Sequence, residues 1–234
     1  MRLGPFKALI FDQDGTILDA ELGHCKSWIT VAKNHSVVFS RGTFMRFAGK
    51  GDGAISRHLA ARISPELKGS TEEEPAFRLK EEKRNIYKSL IDSLPLMPGA
   101  EDLLTEAKKM AIPMAIATIS PTEETLRTIK NHHLDRFFSV IVTIDDMDHP
   151  DQVKPAPVIY LAAARKLKMP AESCLAFEDS LTGVTAALGA NMKVVAIPTD
   201  YSKHFDYSKA TLAVKSLENV ALEKTSEGVF VSRK

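Results

Sequence analysis

Five short apolar runs, each stopping at a polar loop and separated from the next by helix-patterned sequence, leave few folds open to this chain. Residues 7–11 (KALIF) end at Asp12-Gln13-Asp14-Gly15-Thr16, residues 113–117 at Thr118-Ile119-Ser120, and residues 139–142 at Thr143. Residues 173–177 end at Glu178-Asp179-Ser180, and residues 193–197 meet Pro198. Short continuous apolar runs suit strands buried on both faces, the pattern of a parallel sheet. Amphipathic segments lie between them. Leu103, Leu104, Ala107 and Met110 share one face, and Leu126 and Ile129 share another in a segment that opens at Pro121 with Glu123 and Glu124 in its first turn, where negative charge suits the helix dipole. Residues 155–167 carry Ile159, Ala162, Ala163 and Leu167, and residues 181–188 follow Asp179-Ser180, a plausible N-cap. The alternation predicts an α/β fold, a Rossmann-like parallel sheet with helices on both faces, which binds ligands beyond the carboxyl ends of its strands.

Residues 20–94 break that alternation. They hold helical patterns at 25–32, 54–63 and 77–91 and no convincing strand, so they predict an all-helical domain inserted into a core built from 1–19 and 95–234. Pro95-Leu96-Met97-Pro98-Gly99 suits the boundary. An insert rooted at the carboxyl end of the first strand is expected to sit over the site. Residues 225–234 offer little to bury and are expected to be mobile.

Composition narrows the partners. Thirty-one Lys and Arg against thirty Asp and Glu give a formal charge of +1, no surplus with which to neutralise a nucleic-acid backbone. No apolar run reaches the ~18 residues that cross a bilayer. Two cysteines, Cys25 and Cys174, make no disulfide framework and read as packing residues, and the first residues show no signal-peptide pattern. A reduced, cytoplasmic protein with no membrane or nucleic-acid partner is expected, either monomer or dimer.

Asp12 and Asp14 stand two apart at a strand end, with Gly15 permitting a turn. Two short carboxylates there can hold a hard cation, or one can attack an electrophile; a turn that merely uses Asp and Gly is the alternative for the loop taken alone. The other strand ends weigh against that alternative. If the loops share one sheet edge, Asp12, Asp14, Thr118, Lys154 and Glu178-Asp179 converge on one small volume, a set suited to phosphoryl transfer. A carboxylate attacking a phosphate dianion meets repulsion of ~4 kcal/mol per unit charge pair at 4 Å and an effective dielectric of 20. A divalent cation and Lys154 offset it, while the Thr118 hydroxyl and backbone N–H groups hold the phosphate oxygens.

The run Asp12-Gln13-Asp14-Gly15-Thr16, Thr118 after an apolar strand, Lys154-Pro155, and Phe177-Glu178-Asp179-Ser180 followed by Gly183 resembles, in that order, the haloacid dehalogenase superfamily. Within it the chain is similar to the beta-phosphoglucomutase and phosphoglycolate phosphatase branch, which carries a helical cap after the first strand. The resemblance implies that Asp12 is the nucleophile, forming an aspartyl-phosphate, and that Asp14 is the general acid/base, its backbone carbonyl touching magnesium. It implies that Thr118 and Lys154 bind the transferring phosphoryl group, with Ser120 a further substrate-binding candidate, and that Asp179 ligates Mg2+ with Asp12, Glu178 lending support. An acid at Asp14 favours phosphate esters over carbon–halogen bonds, whose leaving groups need no proton.

The chain departs from the family pattern at Gln13, where an apolar or aromatic residue is common, at Ile119, where a small or polar one is, and at Val158, the place of a frequent Asp. In the cap, His24 and Trp28 fall at offsets where similar members carry a His near the reacting groups and a Trp; a solvent-facing His24 is the alternative. The loop Ala48-Gly49-Lys50-Gly51-Asp52-Gly53 resembles the cap's specificity loop, with Gly49 and Lys50 as substrate-binding candidates and a plain helix connection as the competing reading. Ala48 and Asp52 stand where the mutase pattern has basic residues, unless Arg46, Lys50 and Arg57 compensate. Glu72-Glu73-Glu74 is expected to open a cap helix, and His132-His133 to be surface residues, since adjacent helical side chains diverge by about 100°. The expected activity is a magnesium-dependent phosphatase acting on a small phosphorylated metabolite, of sugar phosphate or phosphoglycolate type. A sugar phosphomutase is the alternative, and a ligand-binding protein without turnover is a third.

Overall fold

The computed structural model describes residues 2–48, 50–63 and 73–234. The chain forms two compact units, Met1–Asp19 with Pro95–Lys234, and Ala20–Leu94. In the first unit the strands are β1 (Arg2–Phe6), β2 (Ala8–Phe11), β3 (Met114–Ala117), β4 (Val140–Val142), β5 (Cys174–Glu178), β6 (Lys193–Ala196), β7 (Leu212–Ala213), β8 (Val220–Lys224) and β9 (Val229–Arg233). Six of them form one parallel sheet in the order β4-β3-β2-β5-β6-β7, the α/β architecture expected from the alternating pattern.

Successive residues of the central strands face opposite sides, so each strand feeds two cores. Leu9, Phe11, Met114, Ile116, Leu175, Phe177 and Val195 pack on one side with Leu103, Leu104 and Ala107. Ala8, Ile10, Ala115, Ala117, Ala176, Val194 and Ala196 face the other side, against Ile159, Tyr160, Ala163, Ala186 and Ala187. The small residues on this second side let its helices approach closely. The helices of this unit are those after the insert: Ala100–Lys109, Thr122–Asn131, Val158–Lys166 and Leu181–Gly189. Where the chain leaves and rejoins the unit, the Asp19 N–H donates to the Pro95 carbonyl at 2.9 Å and Leu18 bridges Leu96, so the insertion leaves the core closed.

One expectation is overturned. Residues 225–234 are not a loose end: β9 pairs with β1 and β8 in a three-stranded antiparallel sheet, and Val229 and Val231 are buried beside Val220 and Leu222 in the first core. The signal was two apolar triplets, Val220-Ala221-Leu222 and Val229-Phe230-Val231, on either side of Ser226-Glu227-Gly228, but five-residue strands acquire a buried face only when something packs on it.

The second unit is all-helical, with α1 (Ala20–Asn34), α2 (Arg41–Met45), α3 (Gly51–Ala60) and α4 (Glu73–Leu90). The helix α4 packs on α1 and α3, and Trp28, Val31, Ile55 and Leu59 are buried in this unit. Glu73 opens α4, while Glu72 and Gly49 lie outside the described residues. Among the described residues no helix is long and apolar enough to cross a membrane.

Candidate active site

Strand order decides where the polar loops meet. The chain runs outward from β2 to β3 and β4, then returns to place β5 on the other side of β2, so the crevice between β2 and β5 is the topological switch point of the sheet. Register aligns the strand ends: Phe11 pairs with Ile116 and with Phe177, whose ring stacks on it at 4.6 Å. Asp12 and Glu178 come next, and Thr118 follows two residues after Ile116, so the three leave the sheet along one edge.

Lys154, delivered by the loop before the Val158–Lys166 helix, ties two of these ends together. Its Nζ lies 2.5 Å from Asp12 Oδ1 and 2.6 Å from Glu178 Oε1, with all three side chains buried. Tyr160, from the first turn of that helix, donates its hydroxyl to the same Glu178 Oε1 at 2.7 Å. The other oxygen of Glu178 accepts from the Ser180 N–H at 3.2 Å and the Ser180 hydroxyl at 3.0 Å. Ser180 also caps the Leu181–Gly189 helix by accepting from the Gly183 N–H, as its position after Asp179 suggested. The Asp179 carbonyl accepts from the Ser202 hydroxyl at 2.9 Å and the Tyr207 hydroxyl at 2.5 Å, which fixes the turn that presents its carboxylate. Two glycines make room for these acids. A Cβ on Gly183 would lie 1.8 Å from Glu178 Oε1, and one on Gly15, whose φ is +86°, would lie 2.3 Å from Asp179 Oδ2.

Asp14 is half-buried beside this group. Its Oδ1 accepts from Gln13 Nε2 at 3.1 Å and its Oδ2 from the Ser120 hydroxyl. Thr118 is fully buried, and its Oγ1 accepts from the Ser120 N–H at 3.1 Å. Ile119, between them, is exposed. The core thus brings together Asp12, Asp14, Thr118, Ser120, Lys154, Glu178 and Asp179.

Charge in this cluster is unbalanced. Burial by itself would lower the Lys154 pKa, but Asp12 and Glu178 outweigh it and raise it above its ordinary value. With one ammonium for three carboxylates, burial pushes the Asp12 carboxyl up to about 8; Glu178 and Asp14 add to the rise, and Lys154 opposes it. Burial, and then the Glu178 charge, hold the Tyr160 hydroxyl well above its ordinary value, so it stays a donor. Asp12, Glu178 and Asp179 each present an oxygen, and these lie within 4.8 Å of one another. A buried, all-oxygen, net-negative donor set fits a hard divalent cation, which would offset the negative charge that adds to the rise at Asp12.

In the helical unit His24 is half-buried and does not face solvent. Its Nδ1 lies 2.9 Å from Lys83 Nζ, and its ring stacks on Tyr87 at 4.3 Å. Lys83 also donates to Asp52 Oδ2 at 2.8 Å, and Trp28 Nε1 donates to Asp52 Oδ1 at 2.9 Å. Lys50 is exposed, its Nζ 5.7 Å from the centre of the Phe47 ring, and Arg46 and Arg57 are also exposed. Gly49 cannot be placed among them, being outside the described residues. Cys25 and Cys174 are buried thiols, as expected of packing residues. His133 is exposed and His132 half-buried.

Tyr160, Ser202, Tyr207 and Lys83 are partners that the motifs do not reveal. Only Tyr160 carried a usable signal: a tyrosine on the apolar face of a helix, six residues after Lys154, needs a partner for its hydroxyl.

The model of the haloacid dehalogenase-like hydrolases matches residues 6–191. The chain is 29% identical over 231 residues to Protein CbbY of Rhodobacter capsulatus, covering 94% of this chain and 98% of that protein. It is 29% identical over 187 residues to the phosphorylated carbohydrates phosphatase of Thermotoga maritima, covering 80% and 82%. The crystal structure of a CbbY variant from Rhodobacter sphaeroides in complex with xylulose-(1,5)bisphosphate superposes with a TM-score of 0.70 at 26% identity, over 91% of this chain and 95% of that one.

Proposed function

The chain belongs to the haloacid dehalogenase-like hydrolases, and on that premise we propose that it is a magnesium-dependent phosphatase that hydrolyses a small sugar phosphate through an aspartyl-phosphate on Asp12. The observation that carries this reading is the buried triplet of Asp12, Glu178 and Asp179 knitted to Lys154 at the switch point of the sheet. The names of the relatives, a phosphorylated carbohydrates phosphatase and a protein crystallised with a sugar bisphosphate, support the substrate class.

Asp12, Asp179 and the main-chain carbonyl of Asp14 would hold Mg2+, with Glu178 in support; bound there, the cation draws charge from the attacking carboxylate and the phosphate oxygens. Lys154, Thr118 and Ser120 bind and orient the phosphoryl group. In the first half-reaction an Asp12 oxygen bonds to phosphorus, the ester P–O bond breaks, and Asp14 gives a proton to the departing oxygen. In the second, Asp14 takes a proton from water as the water oxygen bonds to phosphorus, and the bond to Asp12 breaks to release phosphate. Two displacements by positioned groups replace one by bulk water.

A phosphatase is favoured over a sugar phosphomutase by Asp52. It stands where the mutase pattern has a basic residue for a second phosphate, and its carboxylate is bound by Trp28 and Lys83. Incubation with a panel of sugar phosphates, phosphoglycolate and 4-nitrophenyl phosphate should release phosphate with Mg2+ and not with EDTA. Sugar-phosphate isomerisation without phosphate release would show a mutase, and binding without either reaction would show a non-catalytic protein.

A further inference from the structure

Gln13 lies between the two site aspartates and is 1% exposed. Its own carbonyl accepts from the N–H groups of Thr16 at 3.3 Å, Ile17 at 2.8 Å and Leu18 at 3.0 Å, which pins the backbone that carries it. Its side-chain Nε2 donates to Asp14 Oδ1 at 3.1 Å, while its Oε1 is buried with no hydrogen-bond partner among the described residues. A buried acceptor without a partner is costly, and an apolar side chain of the same size would avoid that cost. The amide is therefore poorly explained by packing. Its orientation is set by Asp14, because only the NH2 end can face a carboxylate.

We infer that Gln13 is a positioning residue that locks the Asp14 carboxylate and reserves its Oδ2 for proton exchange. The amide NH2 is a donor only, so Oδ1 is held as an acceptor. Oδ2 faces the Ser120 hydroxyl, which donates or accepts and can tolerate a proton on that oxygen. With a donor on each oxygen, rotation of the carboxylate about its terminal bond is stopped, and the proton-bearing oxygen lies on the side of the Thr118–Ser120 loop. The inference rests on the reading of Asp14 as general acid/base and adds the group that orients it.

The test is Gln13→Met, which keeps the volume and removes the donor, with Gln13→Leu as a second variant. For an alkyl phosphate ester that the wild type hydrolyses, kcat/KM, which reports the first half-reaction and not the shared hydrolysis of the aspartyl-phosphate, should fall about tenfold, a part of what a well-placed acid contributes. For 4-nitrophenyl phosphate, whose leaving group needs little proton assistance, the loss should stay below about threefold. The thermal midpoint should hold or rise, because the unpartnered acceptor is gone. Wild-type kcat/KM on the alkyl ester, or equal losses of kcat/KM on both esters, would overturn the inference. In an Asp14→Ala background, Gln13→Met should cause no further loss; losses that multiply would overturn it as well. An Asp14→Ala variant that keeps alkyl-ester turnover overturns the acid/base reading and this one with it. Alkyl-ester loss in Asp14→Ala but not in Gln13→Met overturns the Gln13 role alone.

Discussion

The Tyr160 hydroxyl donates to Glu178 Oε1 at 2.7 Å, the oxygen that Lys154 also reaches, at 2.6 Å. Glu178 is fully buried, so its charge relies on these donors and on Ser180. Tyr160→Phe removes one of them without changing shape, and should lower unfolding stability by about 1–2 kcal/mol in urea titrations. It should also raise the Mg2+ concentration needed for half-maximal activity. Unchanged values for both would mean that Tyr160 serves packing alone.

Lys154 is the ammonium that both buried acids, Asp12 and Glu178, contact, and Lys154→Met would strand them. Breaking a buried ion pair from one side costs about 3–5 kcal/mol, so the variant should unfold at much lower denaturant and lose turnover. Denaturation of the purified variant by circular dichroism checks the first part; a loss under about 1 kcal/mol would contradict the burial argument.

Gly183→Ala places a methyl group 1.8 Å from Glu178 Oε1, in the body of a carboxylate held by four hydrogen bonds. Glu178 must move. The helix itself should tolerate Ala, which has the higher helix propensity. The expected outcome is a folded protein whose half-saturating Mg2+ concentration is raised about tenfold or more, the size of effect seen when support around a metal site is disturbed. Gly189→Ala, whose Cβ would meet nothing nearer than 3.5 Å, is the control and should titrate as the wild type does.

Asp12→Asn should abolish turnover, because an amide forms no acyl-phosphate. Rapid-quench labelling with a radiolabelled substrate should trap phosphoenzyme in the wild type and none in the variant. Multiple-turnover activity in the variant, with deamidation excluded by mass spectrometry, would remove Asp12 from the nucleophile role.

Asp52 provides a pH test in the helical unit. Burial alone would raise its pKa, but Lys83, and then the Trp28 hydrogen bond, outweigh it and hold the folded value below the usual carboxylate range. A depressed folded pKa means that the stabilisation is complete above the unfolded value of about 4 and fades as pH falls through the folded one. Because the Asp52 side chain is 42% exposed, the pair is screened and worth about 1 kcal/mol at most. Asp52→Asn should therefore melt earlier than the wild type at pH 7, and the gap should shrink progressively as pH falls below about 4. A gap that does not shrink at all as pH falls below about 4 would show that the charge is not what Asp52 contributes.

The core of the candidate site was readable because its residues follow strands. Asp12, Thr118 and Glu178 each come directly after or at the end of an apolar run, and in a parallel sheet such positions share one edge whatever the intervening sequence does. The small sheet was not readable in the same way. Val229 and Val231 stand in an apolar run of only three residues, Val229-Phe230-Val231, and their burial depends on β1 and β8, which arrive from opposite ends of the chain.

The chain's linear order determined the alternating α/β core, the helical insert between residues 19 and 95, and the loops that carry acids, hydroxyl and ammonium. These are recorded in periodicity and turn chemistry within windows of about ten residues. Tertiary structure decided the partners: Lys154 with Asp12 across 142 positions, Ser120 with Asp14 across 106, Tyr207 with the Asp179 carbonyl, and the buried Gln13 amide with Asp14. Such pairings follow from strand order, register and the rotamers that packing permits, and a hydrogen bond a few tenths of an ångström too long is lost. No local pattern encodes distances on that scale.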